Sequence, residues 1–377
     1  MKRNLKVTAA VIAILVIAVG GYWLSGGFAQ KYEEKTIKIG AILPLSGNLA
    51  AIGVPERNVL DLTVDELNEK QDKYRYEIIF EDSKGNAGEG ATIANKLISL
   101  DKVDAIFVSL TSVVNAVGPI AQKNDVLVFA NAMSSQVPAI GDGIFRFFPS
   151  TQNEVDIWFQ LIKEKEYKRV GMLYINAEYA LEEKDLLQAG LSPSTEFYHE
   201  SFEITDKDFK SHLLKMKQNN VDAIVVSGLG LGYVTLVNQV KELKLDADIL
   251  GDIDFALAFA KGGARRTDEG LKIFDGVQFA MFATDMDSPK LQSILQEYTR
   301  RYQSDVLDEA EALLFYDALK MLDAAIQETG GFNVKELKRK LSNIDSYQGV
   351  TGTINIVNRS ADIPLKVARY ENGKIVF

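Results

Sequence analysis

The stretch Ile37 to Gly53, IKIGAILPLSGNLAAIG, constrains the fold more than any other part of the chain. Ile37, Ile39 and Ala41 to Leu43 form a short, nearly all-apolar run of the kind buried on both faces of a parallel sheet, and Pro44 cannot donate to a ladder, so the strand ends there. It opens into Leu45-Ser46-Gly47-Asn48, which offers a hydroxyl, an amide and open backbone just beyond a strand's carboxyl end, where α/β sheets hold their ligands. Pro55 suits the first position of the following helix, in which Leu60, Val64 and Leu67 share one face with Val59 and Thr63 beside them.

The same unit recurs. Tyr76 to Phe80 predicts a strand ending at Glu81-Asp82-Ser83, and Val103 to Val108 one that opens into Ser109-Leu110-Thr111-Ser112. Val126 to Phe129 predicts a third, opening into Asn131-Ala132-Met133-Ser134-Ser135. A doubly wound sheet brings such loops together in one crevice, so Ser46, Asp82, Thr111 with Ser112, and Ser134 are expected to converge. At Phe145-Arg146-Phe147-Phe148-Pro149-Ser150 the pattern restarts, with Ser150 or Thr151 capping a helix that carries Val155, Trp158, Phe159 and Ile162 on its apolar face. VDAIFVS, Val103 to Ser109, recurs as VDAIVVS, Val221 to Ser227. Both copies follow an amphipathic helix and end at a serine, as two lobes built alike and facing each other require. Gly228-Leu229-Gly230-Leu231-Gly232 lacks the full dinucleotide fingerprint and reads as a tight turn into a helix, and Ile249 to Gly251 is a short strand opening into Asp252-Ile253-Asp254-Phe255.

A chain of 377 residues has room for two such lobes. Its net charge of -10, with no basic stripe, disfavours a nucleic-acid partner, and the absence of cysteine removes thiol chemistry, disulfides and zinc-thiolate sites. Two histidines leave little scope for a histidine metal site or base; neither metal nor cofactor is expected. Residues 1–30 are a separate object: Lys2, Arg3 and Lys6 precede an apolar run from Val7 to Leu24, and Gly27-Phe28-Ala29 resembles a cleavage site. Cleaved export signal and retained single-span anchor are both compatible with that run, and either one places everything after Gln30 outside the cytoplasm.

Several segments in this order resemble the leucine/isoleucine/valine-binding proteins, the type I periplasmic substrate-binding family of ABC importers, which also supplies receptor ectodomains. They are IGAILPLSGNLAAIG at 39–53, the Asp82 turn, Ser112 with Pro119, FRFFPS at 145–150, RVGMLYINAEYA at 169–180, DFKSHLLKMKQNNVDAIVVSG at 208–228, FDGVQFA at 274–280, FYDALKML at 315–322 and YQGVTGTINI at 347–356. The resemblance, over about Thr36 to Phe377, implies two Rossmann-like α/β lobes joined by a three-crossover hinge. Lobe 1 would comprise 36–149 and 281–353, and lobe 2 would comprise 150–280 and 354–377, with crossings near Pro149, Phe279 to Ala283, and Thr353 to Val357.

By the same resemblance, an amino acid's carboxylate is held at Ser112 and at Ala132, Met133 and Ser134, with Ser46 and Thr111 on the neighbouring loops. Tyr179 matches the family's aromatic contact in the second lobe, and Leu229 stands where a second aromatic is usual. The acid that balances the ammonium falls at Asp252 or Asp254. Phe107-Val108 replaces the family's Gly-Pro, and Asn131 replaces a proline. Plainer readings stand beside these: Ser112 and Ser134 as helix caps, Tyr179 as a surface ring, the Asp pair as a solvated turn, Glu309 and Glu311 as first-turn acids, and Arg146 as a hinge tie. The resemblance implies a monomeric, non-enzymatic solute-binding protein that delivers a small solute, a branched-chain or other aliphatic amino acid, to ABC permease subunits. A membrane-anchored sensor of an amino acid, amide or urea-like solute is the alternative.

Overall fold

The computed structural model describes residues 35–70, 73–228, 232–256, 272–303 and 310–377. A first lobe begins with β1 (Lys35–Leu43), α1 (Ala50–Lys70), β2 (Tyr74–Asp82), α2 (Ala87–Lys96), β3 (Ala105–Ser109), α3 (Thr111–Lys123), β4 (Leu127–Asn131) and β5 (Ile144–Arg146). A second lobe follows with α4 (Thr151–Glu164), β6 (Arg169–Ile175), α5 (Glu178–Gly190), β7 (Glu196–Phe202), α6 (Lys210–Gln218), β8 (Ala223–Ser227), α7 (Tyr233–Glu242), β9 (Asp248–Gly251) and β10 (Gln278–Phe282). The chain returns to the first lobe with α8 (Pro289–Tyr302), α9 (Ala310–Thr329), α10 (Val334–Leu341), β11 (Tyr347–Gln348), β12 (Thr353–Val357) and β13 (Ser360–Asp362), then ends in the second with β14 (Leu365–Glu371) and β15 (Lys374–Val376).

The two sheets run β11-β12-β13-β5-β4-β3-β1-β2 and β15-β14-β10-β9-β8-β6-β7. Strands β1 to β5 of the first sheet and β6 to β10 of the second run parallel within their sheet, so their carboxyl ends share one edge. The VDAI repeat falls on β3 and β8, which occupy the same place: β3 lies between β1 and β4, and β8 lies between β6 and β9. Even the leading aspartates match. Asp104 accepts the Lys38 backbone N–H at 2.8 Å, and Asp222 accepts those of Lys168 and Arg169 at 2.7 and 2.9 Å.

Two expectations need correction. Pro55 is not the first residue of its helix; α1 starts at Ala50, and Pro55 sits inside it. A short 3-10 turn at Gly47–Leu49 precedes the helix, and Gly53 packs so close to the Pro44 carbonyl that a Cβ there would stand 2.4 Å from its oxygen. The entry to α1 is therefore set by backbone contact with the end of β1 rather than by proline. The third crossing lies between Asp362 and Leu365, not at Thr353 to Val357. Ile354 and Ile356 of β12 point inward, and the strand pairs antiparallel with β11 and β13, which keeps it in the first sheet.

Arg146 ties this hinge region together. Its guanidinium donates to the carbonyls of Phe148 and Pro149 at the first crossing, to those of Ala132 and Met133 beyond β4, and to Ser360 Oγ at 3.1 Å near the third crossing. It is 3% exposed, and burial lowers its pKa to about 10, which still leaves it charged at neutral pH. Replacing it with methionine is expected to cost about 3–5 kcal/mol, because several buried carbonyls lose a charged donor at once. Arg146→Lys should recover only part of this, since an ammonium cannot reproduce the planar fork. The midpoint of urea unfolding for both variants checks the order.

Candidate functional site

The carboxyl ends of the two parallel sheets face each other across a cleft that encloses a cavity of about 50 Å³. From the first lobe it is lined by Ser109, Leu110 and Thr111 after β3, by Asn131, Ala132 and Met133 after β4, and by Ile52, Phe148 and Glu311. The second lobe contributes Tyr179 from α5 and the Asp252-Ile253-Asp254 turn after β9. The lips touch: Asn115 of α3 donates to Glu178 of α5 at 2.8 Å, and Ser135 donates to Glu182. The conformation is closed, which is why Asp252, Asp254 and Tyr179 are buried although they face a cleft.

Six of the residues expected from sequence, Thr111, Ala132, Met133, Tyr179, Asp252 and Asp254, line this space together. Ser46, Ser112 and Ser134 are not among the lining residues. Ser46 donates to Asp82 at 2.5 Å, and Asp82 also accepts the Leu45 and Lys84 N–H groups, so that pair holds the β1 and β2 loops to each other. Ser112 is exposed in the first turn of α3. Ser134 is buried; its N–H donates to Thr111 Oγ1 at 3.4 Å and its hydroxyl accepts the Gln136 N–H at 3.3 Å. Leu229 and the amino-terminal apolar segment lie outside the described residues; among those described, no helix is long and apolar enough to cross a membrane.

The α3 amino terminus is held open toward the cleft. Leu110, its N-cap, has φ +75°, donates its N–H to the Asn131 carbonyl at 2.9 Å and provides no side-chain cap. Strain of this kind in a branched residue persists only where surrounding contacts impose it. Asp252 is equally committed: one oxygen accepts Gly228 N–H at 2.7 Å and Tyr233 hydroxyl at 2.5 Å, and the other accepts Asp254 N–H at 3.0 Å. Phe107, a departure from the family pattern, stacks on Phe129 at 4.9 Å and meets Phe315 edge-on at 5.3 Å, so it belongs to the core and not to the cleft. Asn131, the other departure, lines the cleft.

Behind the lining lies a set of buried acids that sequence reasoning missed. Ser109 donates to Glu56 at 2.6 Å, and Asn131 donates to the other oxygen of Glu56 at 2.7 Å and to Glu311 at 3.5 Å. In the second lobe Ser227, the equivalent of Ser109, donates to Glu183 at 2.5 Å, and the Ile253 N–H reaches Glu154 at 3.4 Å. Glu154 and Glu183 each have one oxygen, and Tyr179 its hydroxyl, buried with no hydrogen-bond partner. The available signal was the serine at the end of each VDAI copy. Both histidines lie elsewhere, His199 on the edge strand β7 and His212 on α6 beside Glu200 at 3.3 Å, so no Ser-His-Asp array forms.

A family model described as periplasmic binding protein matches residues 36–374. The chain belongs to this family. Among curated relatives, the Leu/Ile/Val-binding protein BraC3 of Rhizobium johnstonii is 24% identical over 78% of this chain and 80% of its own length. The Leu/Ile/Val-binding protein homolog 7 of Brucella abortus is 21% identical over 96% and 95%. Among solved structures, the branched-chain amino acid transporter substrate binding protein LivJ from Streptococcus pneumoniae in complex with isoleucine superposes with a TM-score of 0.79 at 26% identity, covering 90% of this chain and 98% of that one. An ABC transporter solute binding protein from R. palustris in complex with 4-hydroxybenzoate gives a TM-score of 0.79 at 18% identity over 90% and 95%.

In this binding protein the second-lobe acids are strongly perturbed. Burial, reinforced for Glu154 by the charges of Glu183, Asp252 and Asp254, raises the Glu154 carboxyl well above its ordinary value. Burial likewise raises Glu183, against the lowering effect of the Ser227 hydrogen bond. Folding thus favours the protonated form of both groups. Their contribution is complete below the ordinary carboxyl range and is lost as pH rises through the raised values. Glu183→Gln should therefore lose less stability than the parent as pH rises from the ordinary carboxyl range toward the raised value. Between its ordinary and its raised value each glutamic acid costs about 1.4 kcal/mol per pH unit, and glutamine costs nothing. Urea unfolding at several pH values measures this, and parallel curves for parent and variant would show that the acid is ionised in the fold.

Proposed function

We propose that this protein captures a small α-amino acid outside the cytoplasmic membrane and delivers it to the permease subunits of an ABC importer. The carrying observation is the pairing of opposite chemistries across one closed cleft. On the first lobe, the uncapped α3 amino terminus and Thr111 suit a carboxylate, because oriented N–H groups and a hydroxyl replace its water shell. On the second, the Asp252-Asp254 turn and the Tyr179 hydroxyl suit an ammonium. Asp252 accepts three protein donors, and Asp254 lines the cleft beside it.

Ile52, Leu110, Met133 and Phe148 line the remaining wall and suit an aliphatic stem, each buried methylene contributing about 0.8 kcal/mol. The names of the relatives agree with an amino acid, and isoleucine in the S. pneumoniae neighbour supports the class. An aromatic acid, as in the R. palustris neighbour, carries no ammonium for the Asp252-Asp254 turn to meet. Closure of the hinge around the solute supplies affinity by excluding water from these groups.

A thermal-shift screen of the full-length chain in detergent against the common amino acids, small amides, sugars and hydroxybenzoates tests this reading. One or more amino acids should raise the melting temperature, since a ligand that binds only the folded state stabilises it. Thr111→Val and Asp254→Asn should each reduce that shift, losing about 1.5–3 kcal/mol of binding with the charged hydrogen bond. A response to a sugar or hydroxybenzoate, with silence from every amino acid, would reject it.

A further inference from the structure

A second pocket, of about 660 Å³, lies at the hinge and shares no lining residue with the solute cleft. Two guanidiniums line it, Arg146 and Arg359. Among the described residues neither forms an ion pair, and all their polar contacts are to neutral groups. Arg146 is 3% exposed; its Nη1 and Nε are taken by the hinge carbonyls and Ser360, while its Nη2 makes no hydrogen bond to a described residue. Arg359 Nη2 donates to the Pro138 carbonyl at 2.8 Å, and its Nε is buried with no partner. The acids whose charge reaches this pair are engaged or solvated: Glu182 accepts from Ser135, Asp142 meets Lys338 at 2.8 Å, and Asp362 lines the pocket but is exposed. A buried cation is ordinarily paired, so donors left over at two neighbouring guanidiniums point to an acceptor from outside.

The fold brings these side chains together deliberately. Pairing of β13 with β5 joins the Arg146 N–H to the Arg359 carbonyl at 2.8 Å. Arg359 holds the second central position of the two-residue β12-β13 turn, with φ +50° at Asn358 and +63° at Arg359, where glycine is the usual occupant. The other polar groups of the lining also have protons to give. Ser360 Oγ accepts from Arg146 Nε and keeps its own proton, and Asn153 Oδ1 is taken by the Ser150 N–H at 2.8 Å, which leaves the Asn153 Nδ2 group as a donor.

We propose that this pocket binds a small doubly charged oxyanion of the phosphate or sulfate kind. Its oxygens meet Arg146 Nη2 and Arg359 from the first lobe and Asn153 from the start of α4 in the second. Guanidiniums arriving from two different strands match an anion with oxygens on several sides better than a single carboxylate, and two cations match a double charge. The anion thereby joins the first and third crossings beside Arg146 without touching the solute. The site is independent of what the cleft binds.

Titration calorimetry of the full-length chain in detergent, with sodium sulfate, inorganic phosphate, acetate and chloride at one fixed ionic strength, tests this. Sulfate and phosphate should each bind one to one and about tenfold or more tighter than acetate, with no binding of chloride. Arg359→Gln, checked for folding by circular dichroism, should weaken sulfate about tenfold or more, and Arg359→Lys should restore part of the loss. A parent protein that binds neither sulfate nor phosphate more tightly than chloride would overturn the site, and that comparison needs no variant. Acetate binding as tightly as sulfate would overturn the doubly charged class. Undiminished sulfate binding in folded Arg359→Gln would overturn the placement at the hinge.

Discussion

The buried pairing of a strand-end serine with a helix glutamate is the interaction on which the rest of the cleft depends. Ser109 with Glu56 and Ser227 with Glu183 stand at equivalent points of the two lobes, each glutamate on the helix that follows the first strand of its own βαβ series. A carboxyl with no solvent exposure is costly unless it is hydrogen-bonded or protonated. The hydroxyl is therefore a condition for placing an acid there. These pairs fix α1 and α5 against β3 and β8, and so fix the loops that line the cleft. Because the serine comes from the repeated VDAI segment, both lobes acquired the same device from the same strand.

Two further sets of bonds decide how the lobes meet. Arg146 gathers the β4 loop, the first crossing and Ser360 near the third into one buried cluster, so the backbone that lines the cleft and the backbone that bends are held by one side chain. At the lips, Asn115 to Glu178 joins α3 to α5, and Ser135 to Glu182 joins the loop after β4 to α5. The lip bonds involve side chains outside the buried core, and such exposed polar contacts contribute little individually. Strong bonds at the hinge and weak ones at the lips are what a clamp requires, since the lips must part to admit solute while the crossings keep their geometry.

Much of the fold was legible because parallel strands buried on both faces are near-continuous apolar runs, and β1, β3, β4, β6 and β8 all read that way. The third crossing was misplaced because β12 alternates in burial like any antiparallel edge strand, and alternation does not say which sheet a strand joins. Pro55 was misplaced for a related reason: a proline preference for the first helical turn is a local rule, and the packing of Gly53 on Pro44 overrides it. At the cleft, residues that follow strand ends were found by position alone. The acids were not. Glu56, Glu154 and Glu183 sit within helices, where a glutamate ordinarily faces water, and Glu311 was read only as a favourable first-turn charge although it also lines the cleft.

The sequence by itself determined the local alternation of strand and helix, the loops at the carboxyl ends of the strands and the doubling of the whole pattern, because each rests on periodicity and turn chemistry within a few tens of residues. Tertiary structure alone decided which loops share a cavity, that Ser46 and Ser134 serve turns rather than line it, and that acids from α1, α4, α5 and α9 crowd behind or beside it. Solvation is the physical reason. The chemistry of a carboxyl depends on what excludes water from it, and the groups that do so for Glu183 or Asp252 lie tens of residues away along the chain, on elements that meet only when the sheet is complete and the lobes are closed.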